Sequence, residues 1–191
     1  MRRFLLALCL TLTTVLSGCT LTPATTARTT PLTTLEMENW QVEGKLAIRY
    51  GKTAHSAHFD WYNWGDDYRI RIRGPLGQGN AKLEKQRGKI RLFADGTEQS
   101  ASSAEELLTM NLGWAFPVSA MKWWVRGLPS PNAAIDAKHE NEKHQLTSLQ
   151  QEGWTIEYKR YQALDHLTLP AKMVASRDNI TLTLLLKKWE L

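Results

Sequence analysis

Nucleophiles and metal ligands are scarce in this chain of 191 residues, which carries two cysteines and five histidines, His55, His58, His139, His144 and His166. His55 and His58 stand three apart in an alternating segment, so they project to opposite faces of a strand and do not chelate one ion. His139 and His144 sit among Glu140, Glu142 and Lys143 and read as a solvated polar stretch. There is no G-x-S-x-G elbow and no H-E-x-x-H helix. Gly74-Pro75-Leu76-Gly77-Gln78-Gly79 is rich in glycine, but it joins two strands, and no helix follows to offer amide donors to a phosphate. These residues assemble no catalytic set, no metal site and no cofactor site, and the chain is not expected to be an enzyme.

Charge and apolar surface remain. Between Arg69 and Arg91 lie eight basic residues, Arg69, Arg71, Arg73, Lys82, Lys85, Arg87, Lys89 and Arg91, against the single acid Glu84. Two readings stand: the solvated outer face of a meander, or a docking patch centred on Arg69, Arg71, Arg73, Lys89 and Arg91 for an acidic partner or anionic head groups. The chain also has 8 Trp. Trp61, Trp114, Trp123, Trp124 and Trp154 fall on or beside apolar positions, where they either fill an ordinary core or border an apolar hollow.

The N-terminus carries another chemistry. Met1, Arg2 and Arg3 precede an apolar run from Phe4 to Leu16, shorter than the roughly 18 to 20 residues of a membrane-spanning helix. Residues 1–18 read as a signal peptide. The run closes on Leu16-Ser17-Gly18-Cys19, which resembles the lipobox of bacterial lipoproteins. That resemblance implies cleavage before Cys19, diacylglycerol on its sulfur and a fatty amide on the new terminus. Of 24 basic residues, Arg2 and Arg3 would leave with the leader, so 22 would face 19 acids, a net +3. Cys9 would leave too, so no disulfide forms within the mature chain. At about 0.8 kcal/mol per buried methylene, three acyl chains anchor the protein stably. Thr20 replaces the Asp that resembles an inner-membrane retention signal, which points to the outer membrane, periplasmic side, where nucleic acid is excluded. Residues 19–37, in which eight of the fifteen from Thr20 to Thr34 are Thr, read as a flexible tether, and residues 38–191 as the domain.

The elements of that domain are mainly strands. Val42, Leu46 and Ile48 alternate with Gln41, Glu43, Lys45 and Arg49, and Tyr68, Ile70 and Ile72 with Arg69, Arg71 and Arg73. Phe59 and Trp61, Leu83, Leu92, Ile156 and Leu184 sit in similar segments separated by short polar turns. Ser103 to Glu106 reads as a capping box opening one helix, and a second runs from Pro117 to Arg126 with Gly127 at its end. The two helices interrupt about six strands and a closing run of about four. Residues 129–143 look like an exposed excursion. A curved antiparallel sheet covered by two helices is the economical architecture.

Two stretches carry a family resemblance. Phe59-x-Trp61-x-x-x-Gly65-Asp66-Asp67-Tyr68-Arg69, followed by Gly74-Pro75-Leu76-Gly77, and Pro117-Val118-x-x-Met121-x-x-Trp124-Val125-Arg126-Gly127-Leu128-Pro129 resemble the LolB family of outer-membrane lipoprotein receptors. The resemblance runs over essentially the whole chain. Gly74 departs from the Asn that often precedes Pro-Leu-Gly, and nothing is transferred to 129–144. It implies an incomplete antiparallel barrel of about 10–11 strands with a helical lid. The apolar concave side would receive the acyl chains of lipoproteins from the periplasmic carrier LolA and deliver them to outer-membrane lipids. The expected lining is Leu46, Ile48, Phe59, Trp61, Ile70, Ile72, Leu83, Leu92, Ile156, Met173 and Leu184 from strands, with Met121, Trp124 and Val125 from the lid. Leu76, between Pro75 and Gly77, is implied to be a membrane-touching tip; the residues alone also allow a leucine folded back onto the rim. No nucleotide site is present, so direction must come from differential affinity, and the receptor is expected to work as a monomer. An adaptor with a filled core, acting through its basic outer face, is the competing class.

Overall fold

The computed structural model describes residues 33–75 and 79–191. Residues Leu32–Leu191 form one compact unit. Alternation of apolar and polar side chains yields eleven strands: β1 (Asn39–Tyr50), β2 (Thr53–Trp64), β3 (Asp67–Arg73), β4 (Ala81–Gln86), β5 (Lys89–Ala94), β6 (Thr97–Ala101), β7 (Ile135–Glu140), β8 (Leu146–Gln151), β9 (Trp154–Leu164), β10 (Leu167–Arg177) and β11 (Ile180–Glu190). All pair antiparallel in one sheet, ordered β6-β5-β4-β3-β2-β1-β11-β10-β9-β8-β7. The first and last strands of the domain meet in its middle, so β6 and β7 are free edges and the curved sheet stays open. Helices α1 (Ala104–Leu112) and α2 (Val118–Trp124) connect those edges and lie over the concave face.

Curvature has identifiable causes. Lys187 is the extra residue of a bulge opposite Glu43 and Gly44, which switches parity so that Trp189, not Lys188, turns inward. A side chain at Gly44 would run into the Leu185 carbonyl and the Phe59 ring, so only glycine lets β1 and β11 close up there. Pro170 lies beside another bulge, between β9 and β10, where a missing N–H is tolerated.

Three expectations need correction. The closing run has five strands, because β7 lies inside the 129–143 stretch read as an excursion. An edge strand whose residues are nearly all exposed shows no alternation to find. The capping box is half made: Ser103 Oγ accepts from the Glu106 N–H, but the Glu106 carboxylate reaches past it to Ser102 N and Oγ. Finally, ordered structure begins before residue 38. Thr34–Glu36 form a 3-10 turn, Met37 is buried, and the Arg126 guanidinium donates to the carbonyls of Thr34 and Met37.

Candidate functional site

Between α1, α2 and the concave face of β1–β5 lies a cavity of about 440 Å³. Its wall is almost wholly hydrocarbon. Leu46, Ile48, Phe59, Trp61, Ile70, Ile72, Leu83, Leu92 and Leu184 line it, as their strand parity predicts, with Met121 from α2. Alternate residues of an antiparallel strand share one face, so five neighbouring strands present one continuous apolar surface. Behind one side of the wall Trp61 packs at a tilt on Trp40 (5.3 Å between centroids) and edge-on to Tyr68 (6.5 Å), and Trp40 packs on Trp189 (5.5 Å), forming an aromatic cluster. The exposed members of the wall, His55, Ser56, Pro75, Gly79 and Leu112, mark the mouth.

Four expected lining residues are elsewhere. Ile156 and Met173 have the right strand parity and Trp124 and Val125 the expected helical spacing, but none borders the cavity, and each is completely buried in the solid part of the core. Trp124 is held there by polar contacts. Its Nε1–H donates to Gln151 Oε1 at 2.9 Å, its carbonyl accepts from Tyr158 OH at 3.0 Å, and Gln151 Nε2 bonds the carbonyls of Ser130 and Ala133. Burial, and then the neighbouring Tyr161, push the Tyr158 phenol well above its ordinary pKa, so it remains a donor. Sequence reading also missed wall residues: Leu108, Leu112 and Phe116 from α1 and its following loop, and Ala57, Ala81 and Val118. The i, i+4 spacing of Leu108 and Leu112 was the available signal.

The two helices are held differently. Lys122 Nζ donates to the Gly65 carbonyl at 2.7 Å in the β2–β3 turn, and Arg126, nearly buried, stacks 4.4 Å from the Trp123 ring while bonding three carbonyls. Burial lowers both pKa values, that of Arg126 to about 10. The last-turn position of Lys122 also suits the helix dipole. Helix α1 buries only Ala104 and Leu107. Surface amides tie it to β6, Asn111 with Gln99 at 2.9 and 3.2 Å, and Glu105 accepts from the Ser119 N–H at the start of α2.

Most of the basic residues occupy the opposite, convex face, whereas Lys85 shares the concave parity of Tyr68 and Ile90. Arg69, Lys82 and Arg91 surround Glu84 at 3.3, 3.3 and 2.9 Å, and Arg71 and Arg73 reach Asp60 at 3.6 and 3.4 Å. Lys89 is exposed at the start of β5. His55 lies in the cavity wall, whereas His58 pairs with Arg73 across the sheet, so the two histidines diverge as expected. Among the described residues no group of His, Cys, Asp or Glu could hold a metal ion. Pro75 is exposed at the mouth; Leu76, Gly77 and Cys19, with the whole proposed leader, lie outside the described residues.

Known proteins resemble this chain in sequence and others in fold. Outer-membrane lipoprotein LolB of Pseudomonas fluorescens is 37% identical over 154 residues, covering 80% of this chain and 75% of that one. The LolB of Francisella tularensis subsp. tularensis is 34% identical over 199 aligned positions, covering 100% and 96%. In fold, a LolA superfamily protein from Nitrosomonas europaea superposes with a TM-score of 0.53 at 6% identity, over 81% of this chain and 86% of that one. The family described as outer membrane lipoprotein LolB matches residues 38–189, and the chain belongs to it.

Proposed function

We propose that the cavity receives the acyl chains of lipoproteins handed over by LolA, and that the protein, anchored through Cys19 and facing the periplasm, inserts them into the outer membrane without an energy source. Family membership carries the coarser statement, a part in outer-membrane lipoprotein localisation. The observation that supports the finer reading is the apolar cavity left unfilled in a domain whose other half is solid. Carrying a triacylated protein through water would expose on the order of 45 methylenes, roughly 35 kcal/mol at about 0.8 kcal/mol each, so a sheltered route is needed. A methylene takes about the room of a water molecule, about 30 Å³. The cavity as it stands therefore holds about one chain of three, and α1, with two buried residues, is the wall free to yield. Each tenfold affinity advantage over the donor needs only about 1.4 kcal/mol, within reach of two more buried methylenes.

A photoreactive side chain at Phe59 is expected to crosslink to the acyl chains of a bound lipoprotein, and one at Met173 is not; equal yields at both, or no adduct at Phe59, refutes the reading. Pro75, Leu76 and Gly77 would form the tip that enters the bilayer. Leu76→Glu should then spare acceptance of cargo and block its insertion, and unchanged insertion into liposomes would remove that role.

A further inference from the structure

On the convex side of β2–β5, cross-strand register sets charged and aromatic residues in rows. Tyr62, Arg69, Glu84 and Arg91 stand abreast, as do Asp60, Arg71, Lys82 and Phe93. The acids are sunk and the cations are not. The side chains of Asp60 and Glu84 are 5% and 7% exposed, against 43%, 54% and 36% for Arg71, Arg73 and Lys82. Burial pushes the Glu84 carboxyl up, but hydrogen bonds and charge from Lys82 and Arg69 outweigh it and hold the group below the usual range. Rings underlie the cations: Lys82 Nζ is 3.9 Å from the Phe93 centroid, Arg69 is 5.6 Å from Trp64 and Arg71 5.9 Å from Tyr62. At the strand ends the rows run into a groove of about 580 Å³ bordered by Arg71, Arg73, Lys82 and Phe93, with Asp95 and Glu98 on its far rim. Glu98 is engaged by Arg91 at 3.6 Å. Ile72 and Ala81 border both this groove and the apolar cavity, so the two hollows meet at the same strand ends.

We propose that this groove and the cation rows beside it seat on the phosphate head groups of an anionic phospholipid leaflet, bringing the mouth of the cavity to the bilayer. Guanidinium forks match phosphate oxygens, and aromatic rings with long aliphatic stems suit the boundary between water and hydrocarbon. Rows about 6.7 Å apart, with neighbours about 4.8 Å apart along each row, on a gently curved sheet meet a plane of head groups more naturally than the relief of one acidic protein. The assignment concerns the outer face and stands whatever the cavity holds.

The test uses the full chain carrying Cys19→Ser, so that acylation does not hold it to the membrane. Sedimentation is measured with vesicles of phosphatidylcholine, and with an equimolar mixture of phosphatidylcholine and phosphatidylglycerol. The neutral vesicles register whatever the N-terminal segment contributes. Arg73→Gln with Lys82→Gln leaves Asp60 with Arg71 and Glu84 with Arg69 and Arg91, so the fold should survive, as a thermal melt will verify. Binding to anionic vesicles should fall roughly thirtyfold, with binding to neutral vesicles unchanged. Lys138→Gln with Lys159→Gln, equal in charge but in the other half of the sheet, should change it by less than about threefold. Equal losses in the two double variants, or no loss in the first, overturns the proposal. So does binding of inorganic phosphate or polyglutamate that depends on Arg73 and Lys82 without binding to vesicles, since that would make the face a soluble-anion or protein site. If the first double variant does not melt cooperatively, Arg73→Lys with Lys82→Arg takes its place and must retain vesicle binding; its loss overturns the proposal too.

Discussion

From β7 to β10 the concave face is solid, with Trp124 above it and Trp154, Leu149, Ile156, Leu169 and Met173 essentially inaccessible to solvent. From β1 to β5 the same alternation of side chains ends in a hollow. The difference lies in the helix above. Over the closing strands α2 presents an indole locked by Gln151 and Tyr158, whereas over the opening strands α1 offers a half-buried Leu108, an exposed Leu112 and amide contacts that water can replace. A fold can thus be stabilised in one half and left adaptable in the other, with stability and ligand capacity assigned to different side chains.

Substitutions in each half test this contrast. Trp124→Ala removes one of the two fully buried indoles of the solid half and one of the two donors to Gln151 Oε1, so it should cost about 3–5 kcal/mol in denaturant unfolding. A loss below about 1 kcal/mol would mean that the solid half is not the source of stability. A matched pair comes next. Ala175→Phe, at a fully buried position, overpacks β10 and should cost about 1–3 kcal/mol. Ala57→Phe, in the cavity wall, should change stability by no more than about 0.5 kcal/mol while reducing binding of a fluorescent fatty acid. Similar stability losses in both would erase the distinction between the halves.

The smallest effect concerns pH. Burial, and then Tyr161, hold the folded pKa of Tyr158 well above that of an ordinary phenol, while the unfolded chain releases that proton at about 10. Below pH 10 both states hold it, and its contribution is intact. As pH rises above 10 only the unfolded state ionises, so stability falls by about 1.4 kcal/mol per pH unit for each such group. Tyr158→Phe should flatten that alkaline slope by about one proton, and the difference between the two slopes isolates Tyr158 from other groups titrating there. Identical slopes would show that the phenol ionises freely in the fold, and that the solid half is wetter than its packing implies.

Much of the cavity wall is legible in the sequence, because a period of two leaves little choice about which face Leu46, Phe59, Ile70 or Leu83 occupies. What failed had long-range causes. Trp124 shares the spacing of Met121, yet one faces the cavity and the other meets Gln151, twenty-seven residues along the chain. β7 was invisible because an edge strand with Ile135 and Asp136 both exposed buries no face. The inward turn of Trp189 depends on a bulge that simple alternation does not encode.

Local pattern alone determined that this chain is a curved antiparallel sheet with one apolar face, two covering helices and a cationic back, since side-chain parity and helix caps act over a few residues. Only the tertiary structure decided that the apolar face is half filled and half open. Whether a hollow survives depends on which distant side chains reach across it, and here Trp124, gripped by Gln151 and Tyr158, reaches across one half while α1 stops short over the other.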